Sequence, residues 1–217
     1  MSDVVKIDVW SDIACPWCYI GKRRLEQAIA RFDGRVEIEY HSFELAPDTP
    51  ADYPGTQADF LAEYKHIPVE QAQQMLNQVT DVAAGEGLAF DYDALRPANT
   101  VLAHQALRLA KAHDLQGELK ERLLSAYFEQ GRNLNGPEVI AGLAAEVGLD
   151  RDEVLAALRE ETYLPEVHAD QAQAAAYGIT GVPFYVLDGR LAVSGAQSPE
   201  LFLSALERAT SMSGRPA

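Results

Sequence analysis

The chain is 217 residues long, with 33 acidic against 18 basic side chains and a formal net charge of −15. So acidic a surface repels a phosphate backbone, which excludes nucleic acid as an expected partner. The hydrophobic fraction of 47% is enough for a real core, and no run of 18 apolar residues exists, so no membrane-crossing helix is expected.

The chain opens as a strand, because β-branched Val4, Val5, Ile7 and Val9 crowd into six positions. The pattern breaks at Ser11-Asp12 and returns with helical spacing, with Cys18, Gly21, Leu25, Ala28, Ile29 and Phe32 on one stripe. No basic region with a following apolar stretch and cleavage site precedes this strand, so a cytoplasmic location is expected. The only two cysteines, Cys15 and Cys18, sit where strand hands over to helix.

Cys15-Pro16-Trp17-Cys18 has the spacing that brings two sulfurs within bonding reach when wound into a first helical turn. Pro16 is tolerated there because first-turn N–H groups lack intrahelical partners. Cys15 is expected at the helix N-terminus, with solvent access and a lowered pKa from the helix end. Cys18, one turn inward on the apolar stripe, is the expected resolving thiol. A structural disulfide fits poorly, since so short a loop removes little unfolded-state entropy. A zinc site needs about four ligands, and with no second C-x-x-C or His-x-x-x-His no metal is expected. In a reducing compartment a C-x-x-C beside a βαβ pattern reads as redox chemistry.

After Gly34, residues 36–43 alternate with period two as a second strand, parallel to the first through a right-handed crossover. His41 within it reads as a partly buried strand histidine. Residues 44–56 are a Pro-rich linker. The spacing then predicts helices over 57–66, from Pro68 to Gly85, over 100–113 with Asn99 as N-cap, and over 117–130, 137–147 and 150–161. The β signal returns at Phe184–Leu187 and Arg190–Val193, joined by Asp188-Gly189, a two-residue hairpin signal. Ser198-Pro199 starts a last helix to about Ala209. The expected fold is α/β, a four-stranded mixed sheet with flanking helices in a thioredoxin fold, with a large all-helical insertion. Residues 1–50 and 165–210 form the discontinuous thioredoxin-fold domain, 57–164 the inserted helical domain and 211–217 a flexible tail.

These residues together carry a family resemblance. Ser11 through Arg24 around the dithiol, Phe43-Glu44-Leu45, Asn99-Thr100 with His104, Gly178 through Phe184, and Val193 through Gln197 resemble the DsbA-like thioredoxin superfamily, most closely its FrnE-like branch. The resemblance spans nearly the whole chain. It implies a thiol–disulfide oxidoreductase or isomerase in which Cys15 attacks and Cys18 resolves a mixed disulfide. It also implies a cis peptide before Pro183, with Val182 and Pro183 beside the dithiol and, with Pro16 and Trp17, touching substrate. Asn99, Thr100 and His104 lie where inserted helices overhang the site, although an N-cap and an ordinary helix histidine explain them equally well. Lys22-Arg23-Arg24 reads as thiolate support or as a solvated helix face.

The same superfamily includes kappa-class glutathione transferases and 2-hydroxychromene-2-carboxylate isomerases, which typically carry serine at the position of Cys15. Their activity, a glutathione-dependent isomerase or transferase, is the first alternative. The second is a non-catalytic polypeptide-binding or redox-sensing module. The expected partners are disulfide-containing proteins or small thiols. No tightly bound cofactor is implied, with glutathione as a candidate redox co-substrate, and the oligomeric state is left open.

Overall fold

A computed structural model describes residues 4–213. Strand β1 (Val4–Ser11) leads into helix α1 (Pro16–Ile29) and strand β2 (Arg35–Ser42). Six helices follow: α2 (Gln57–Lys65), α3 (Val69–Gly85), α4 (Val101–Ala112), α5 (Gln116–Phe128), α6 (Pro137–Glu146) and α7 (Arg151–Arg159). Helix α8 (Leu164–Ala176), strands β3 (Phe184–Leu187) and β4 (Leu191–Ser194), and helix α9 (Pro199–Ser213) complete the chain. The sheet order is β2-β1-β3-β4, with β1 parallel to β2 and antiparallel to β3. This is the expected thioredoxin fold, a four-stranded mixed sheet with helices on both faces.

Side chains alternate across the sheet. Val5, Ile7 and Val9 face α1 and α9 and pack with Leu25, Ala28, Phe202 and Leu206. The opposite face turns Trp10 toward α8 and Ala174. Asp188 and Gly189 both take positive φ, 49° and 65°, as the predicted two-residue turn between β3 and β4 requires. Strand β2 lies at the sheet edge, where free backbone groups invite unwanted pairing. Gln116, at the start of α5, closes part of that edge by accepting from the Tyr40 N–H and donating to the Tyr40 carbonyl, both at 2.9 Å.

Helix α1 departs from a single apolar stripe. Its Leu25 and Ala28 belong to the sheet core, while Tyr19 and Ile20 belong to the core formed by the inserted helices. The helix is therefore buried on two sides over its first turns. Two boundaries also move. Helix α9 continues to Ser213, so residues 211–213 of the expected tail are helical, and 214–217 lie outside the described residues. Thr100, not Asn99, occupies the N-cap position of α4. The Asn99 side chain instead accepts from the Val101 N–H and donates to the Pro47 carbonyl, tying α4 to the β2–α2 connection.

Candidate active site

The end of β1 and the start of α1 set the site. Cys15 takes an extended conformation (φ −92°, ψ 111°) at the N-cap of α1, and Pro16 occupies the first turn. The Cys18 N–H donates to the Cys15 carbonyl at 3.0 Å, which winds the four residues into that turn. Both cysteines are free thiols, each 3% exposed. The expected solvent access of Cys15 is therefore corrected, because the surrounding loops and inserted helices cover it. Trp17, between them, stays 40% exposed.

The Val182-Pro183 peptide is cis, and the Cys15 Sγ–H donates to the Val182 carbonyl at 3.5 Å. Pro183 is buried and Val182 partly so. Gly21 lets these pieces close up, since a Cβ there would meet the Tyr185 hydroxyl and the Pro183 ring.

Three polar side chains from distant parts of the chain converge beneath the dithiol. Asp12 is 1% exposed. It accepts from the Ala14 and Leu45 N–H groups at 3.3 and 2.8 Å and meets His104 Nε2 at 3.2 Å. Burial opposes the Asp12 charge, but the hydrogen bond and charge of His104, with the Leu45 N–H and Thr100, hold its carboxyl below the usual range. His104 and Thr100 of the expected set thus act on Asp12, three residues before Cys15, while Asn99 serves the connection before α2. Lys120, on α5, is 1% exposed, with its ammonium 5.6 Å from the centre of the Tyr40 ring. Burial brings its pKa down to about 8, against the opposing pull of Cys18, Asp12 and Cys15.

The thiols divide their protons unequally. The hydrogen bond with Cys18, burial and the Cys18 charge push Cys15 well above the ordinary cysteine range. Burial also opposes ionisation of Cys18, but the Cys15 hydrogen bond and the Lys120 charge bring it down. Within the pair the shift runs up at Cys15 and down at Cys18, opposite in direction to the expectation from the helix end. The largest cause that lowers Cys18 is the hydrogen bond from Cys15, followed by the Lys120 charge brought in from α5.

The basic run of α1 is taken up elsewhere. Lys22 and Arg23 both bind Glu121, whose carboxyl falls to about 2 because those partners outweigh burial. Arg24 binds Glu86 and the Ala196 carbonyl. None of the three supports the sulfurs through a hydrogen bond. On the sheet face away from α1, Asp8, Glu39 and His41 bring one ligand atom each within 4.8 Å. Protein partners already occupy them: His41 bridges Asp170 and Asp8 at 2.9 Å, and Glu39 receives Lys111 and Arg108. His41 also stacks on Trp10 at 4.6 Å.

The DSBA-like thioredoxin domain family matches residues 6–207. The chain belongs to that family. The DsbA-like chain is 31% identical over 206 residues to the uncharacterized protein YwbO of Bacillus subtilis, covering 93% of this chain and 96% of that one. It superposes on a probable DsbA oxidoreductase of Streptomyces coelicolor with a TM-score of 0.90 at 39% identity, over 98% and 92% of the two chains. The cytosolic disulfide reductase DsbM of Pseudomonas aeruginosa, solved with GSH, shares the fold at 20% identity and a TM-score of 0.67, over 94% and 98%. Among the described residues of this DsbA-like chain, no helix is long and apolar enough to cross a membrane.

Lys120 and Asp12 were not among the expected site residues. A signal for Lys120 exists: it falls at i+4 from Gln116 and i−3 and i−4 from Leu123 and Leu124, so a lysine interrupts an apolar stripe. Asp12 gave no such periodic sign, because it lies in the turn between strand and helix.

Proposed function

We propose that the chain is a thiol–disulfide oxidoreductase acting on disulfide-containing polypeptides or small disulfides in a reducing, cytosolic compartment. The observation that carries this reading is the placement of Cys15. Of the two sulfurs it alone lines the site cavity, and it lies against the Val182 carbonyl, while Cys18 lies one turn inside near Lys120.

Cys18 takes up the Cys15 proton as the Cys15 sulfur attacks a substrate disulfide. A Cys15–substrate mixed disulfide forms and the other substrate sulfur leaves as thiolate, taking a proton from solvent. Cys18 then attacks Cys15 Sγ, its proton passing to the departing substrate sulfur while the nearby Lys120 charge favours the Cys18 thiolate. The second substrate thiol leaves, the substrate has gained two electrons, and Cys15–Cys18 has become a disulfide. Exposed Trp17 offers apolar contact to the incoming substrate. Helices α2–α7 act as a lid over this site rather than as an independent unit, a role supported by the shared packing of Tyr19 and Ile20 with them.

The test is insulin reduction by wild type, Cys15→Ser and Cys18→Ser. Cys15→Ser is expected to be inactive, and Cys18→Ser to accumulate a mixed disulfide visible by mass spectrometry. A Cys18→Ser variant that turns over like wild type without a trapped adduct would overturn the dithiol mechanism and favour a monothiol, glutathione-dependent reaction.

A further inference from the structure

A cavity of about 360 Å³ runs from Cys15 beneath α2 and α3. Its walls are mainly apolar: Phe60 and Leu61 of α2, Leu76 and Val79 of α3, and Phe128 of α5. Two fully buried polar atoms on lining residues have no hydrogen-bond partner among the described residues, Oε1 of Gln57 and the hydroxyl of Tyr92. Orphaned buried polar atoms are costly and rare in folded proteins. Their presence together in one apolar cavity that reaches a nucleophilic sulfur matches the general anatomy of small-molecule sites, apolar walls with a few placed polar groups.

We infer that this cavity binds the non-leaving half of a small organic disulfide, an aryl or alkyl group with a hydrogen-bonding substituent at its far end. The inference rests on the dithiol reading above and names its substrate class. Two features favour this occupant. An apolar side chain of a bound polypeptide would fill the walls but leave Gln57 and Tyr92 unpaired, whereas a group with a hydrogen-bonding substituent offers them a partner. A glutathionyl group brings two carboxylates, and the cavity offers them a single cationic side chain, Lys65.

The chemistry follows from R–S–S–R′ with R in the cavity. Cys15 attacks the sulfur bearing R, giving Cys15–S–S–R and releasing R′–S⁻, which takes a proton from solvent. Cys18 attacks Cys15 Sγ and releases R–SH. The disulfide gains two electrons and the enzyme dithiol loses them. A monothiol reductant, two molecules per turnover, restores the dithiol and leaves as its own disulfide.

The test is a single-turnover reaction of the pre-reduced full chain with four probes. These are cystamine, 4-(hydroxymethyl)benzyl 2-aminoethyl disulfide (the benzyl probe), the glutathione–cysteamine mixed disulfide, and a short peptide disulfide-linked to cysteamine through a cysteine beside phenylalanine. Each rate constant is divided by that of the same probe with free dithiothreitol, which removes intrinsic reactivity. The benzyl probe is expected to exceed cystamine at least tenfold and to exceed the other two. Val79→Phe, which fills the cavity, is expected to reduce the benzyl-to-cystamine ratio below threefold. Ala46→Phe fills it from another lining position and serves if the first variant does not fold. Benzyl and cystamine rates within twofold of each other in wild type would overturn the pocket while leaving the dithiol reading intact. A faster peptide or glutathionyl probe would also overturn it, assigning the cavity to that occupant. No reaction with any probe would overturn both readings.

Discussion

Replacing Lys120 by methionine is expected to stabilise the protein at neutral pH while making its dithiol harder to ionise. Lys120 is 1% exposed, and burial takes its pKa from 10.5 to about 8. At about 1.36 kcal/mol per pH unit, holding the ammonium in that position costs about 3 kcal/mol whenever it is charged. Methionine keeps most of the length and packing without the charge. That net shift already contains the attraction of Asp12 and the two cysteines, so Lys120→Met should be more stable by up to about 3 kcal/mol at pH 7. The pH dependence carries its own sign. Between pH 8 and 10.5 the unfolded chain binds the lysine proton more than the folded chain does, so wild-type stability rises with pH there. The advantage of Lys120→Met should therefore be fully present below pH 8 and vanish by about pH 10.5. Urea denaturation of the reduced protein from pH 6 to 10, with unchanged slope m, measures it. The thiolate absorbance near 240 nm should move to higher pH in the variant, because the cation that favours charge on Cys18 is gone. A less stable thiolate makes the dithiol more reducing, by about 30 mV for each pH unit of that move. A variant less stable than wild type at pH 7, or a stability difference independent of pH, would refute this account of Lys120.

Two further substitutions probe the polar groups around the sheet. His104→Leu leaves the buried Asp12 carboxylate without its histidine partner and should destabilise by about 3 kcal/mol at pH 7 in denaturant titration; a loss under about 0.5 kcal/mol would mean that Asp12 is held by its backbone donors alone. For His41 burial works against the charge, but Asp170 and Asp8 raise its pKa above the ordinary 6.5, so its contribution is full below pH 6.5 and lost as pH rises through the raised value. The stability difference between wild type and His41→Phe, which keeps a ring on Trp10, should shrink from pH 6 to pH 9, and a difference that grows would overturn the ion-pair reading.

The cysteine motif, the two strand pairs, the Asp188-Gly189 hairpin and most helix limits were legible in local pattern, because each depends on residues within one or two turns of one another. Val182-Pro183 was legible through the family resemblance, and its cis bond is present. Other features were not. The second buried side of α1, through Tyr19 and Ile20, exists only because the inserted helices return to cover it. Asn99 looked like an N-cap from its neighbours, yet its amide is used 52 residues away at Pro47.

The sequence by itself determined a dithiol at a strand-to-helix junction, a mixed four-stranded sheet and a helical segment between its halves. Periodicity, turn chemistry and motif spacing are short-range properties, and those features rest on them. Tertiary structure alone decided which groups surround the sulfurs. Lys120 acts on Cys15 and Cys18 across as many as 105 positions of chain, and His104 reaches Asp12 across 92. Burial together at low dielectric strengthens the interactions among these groups, and no short-range pattern in the sequence reports which of them will meet.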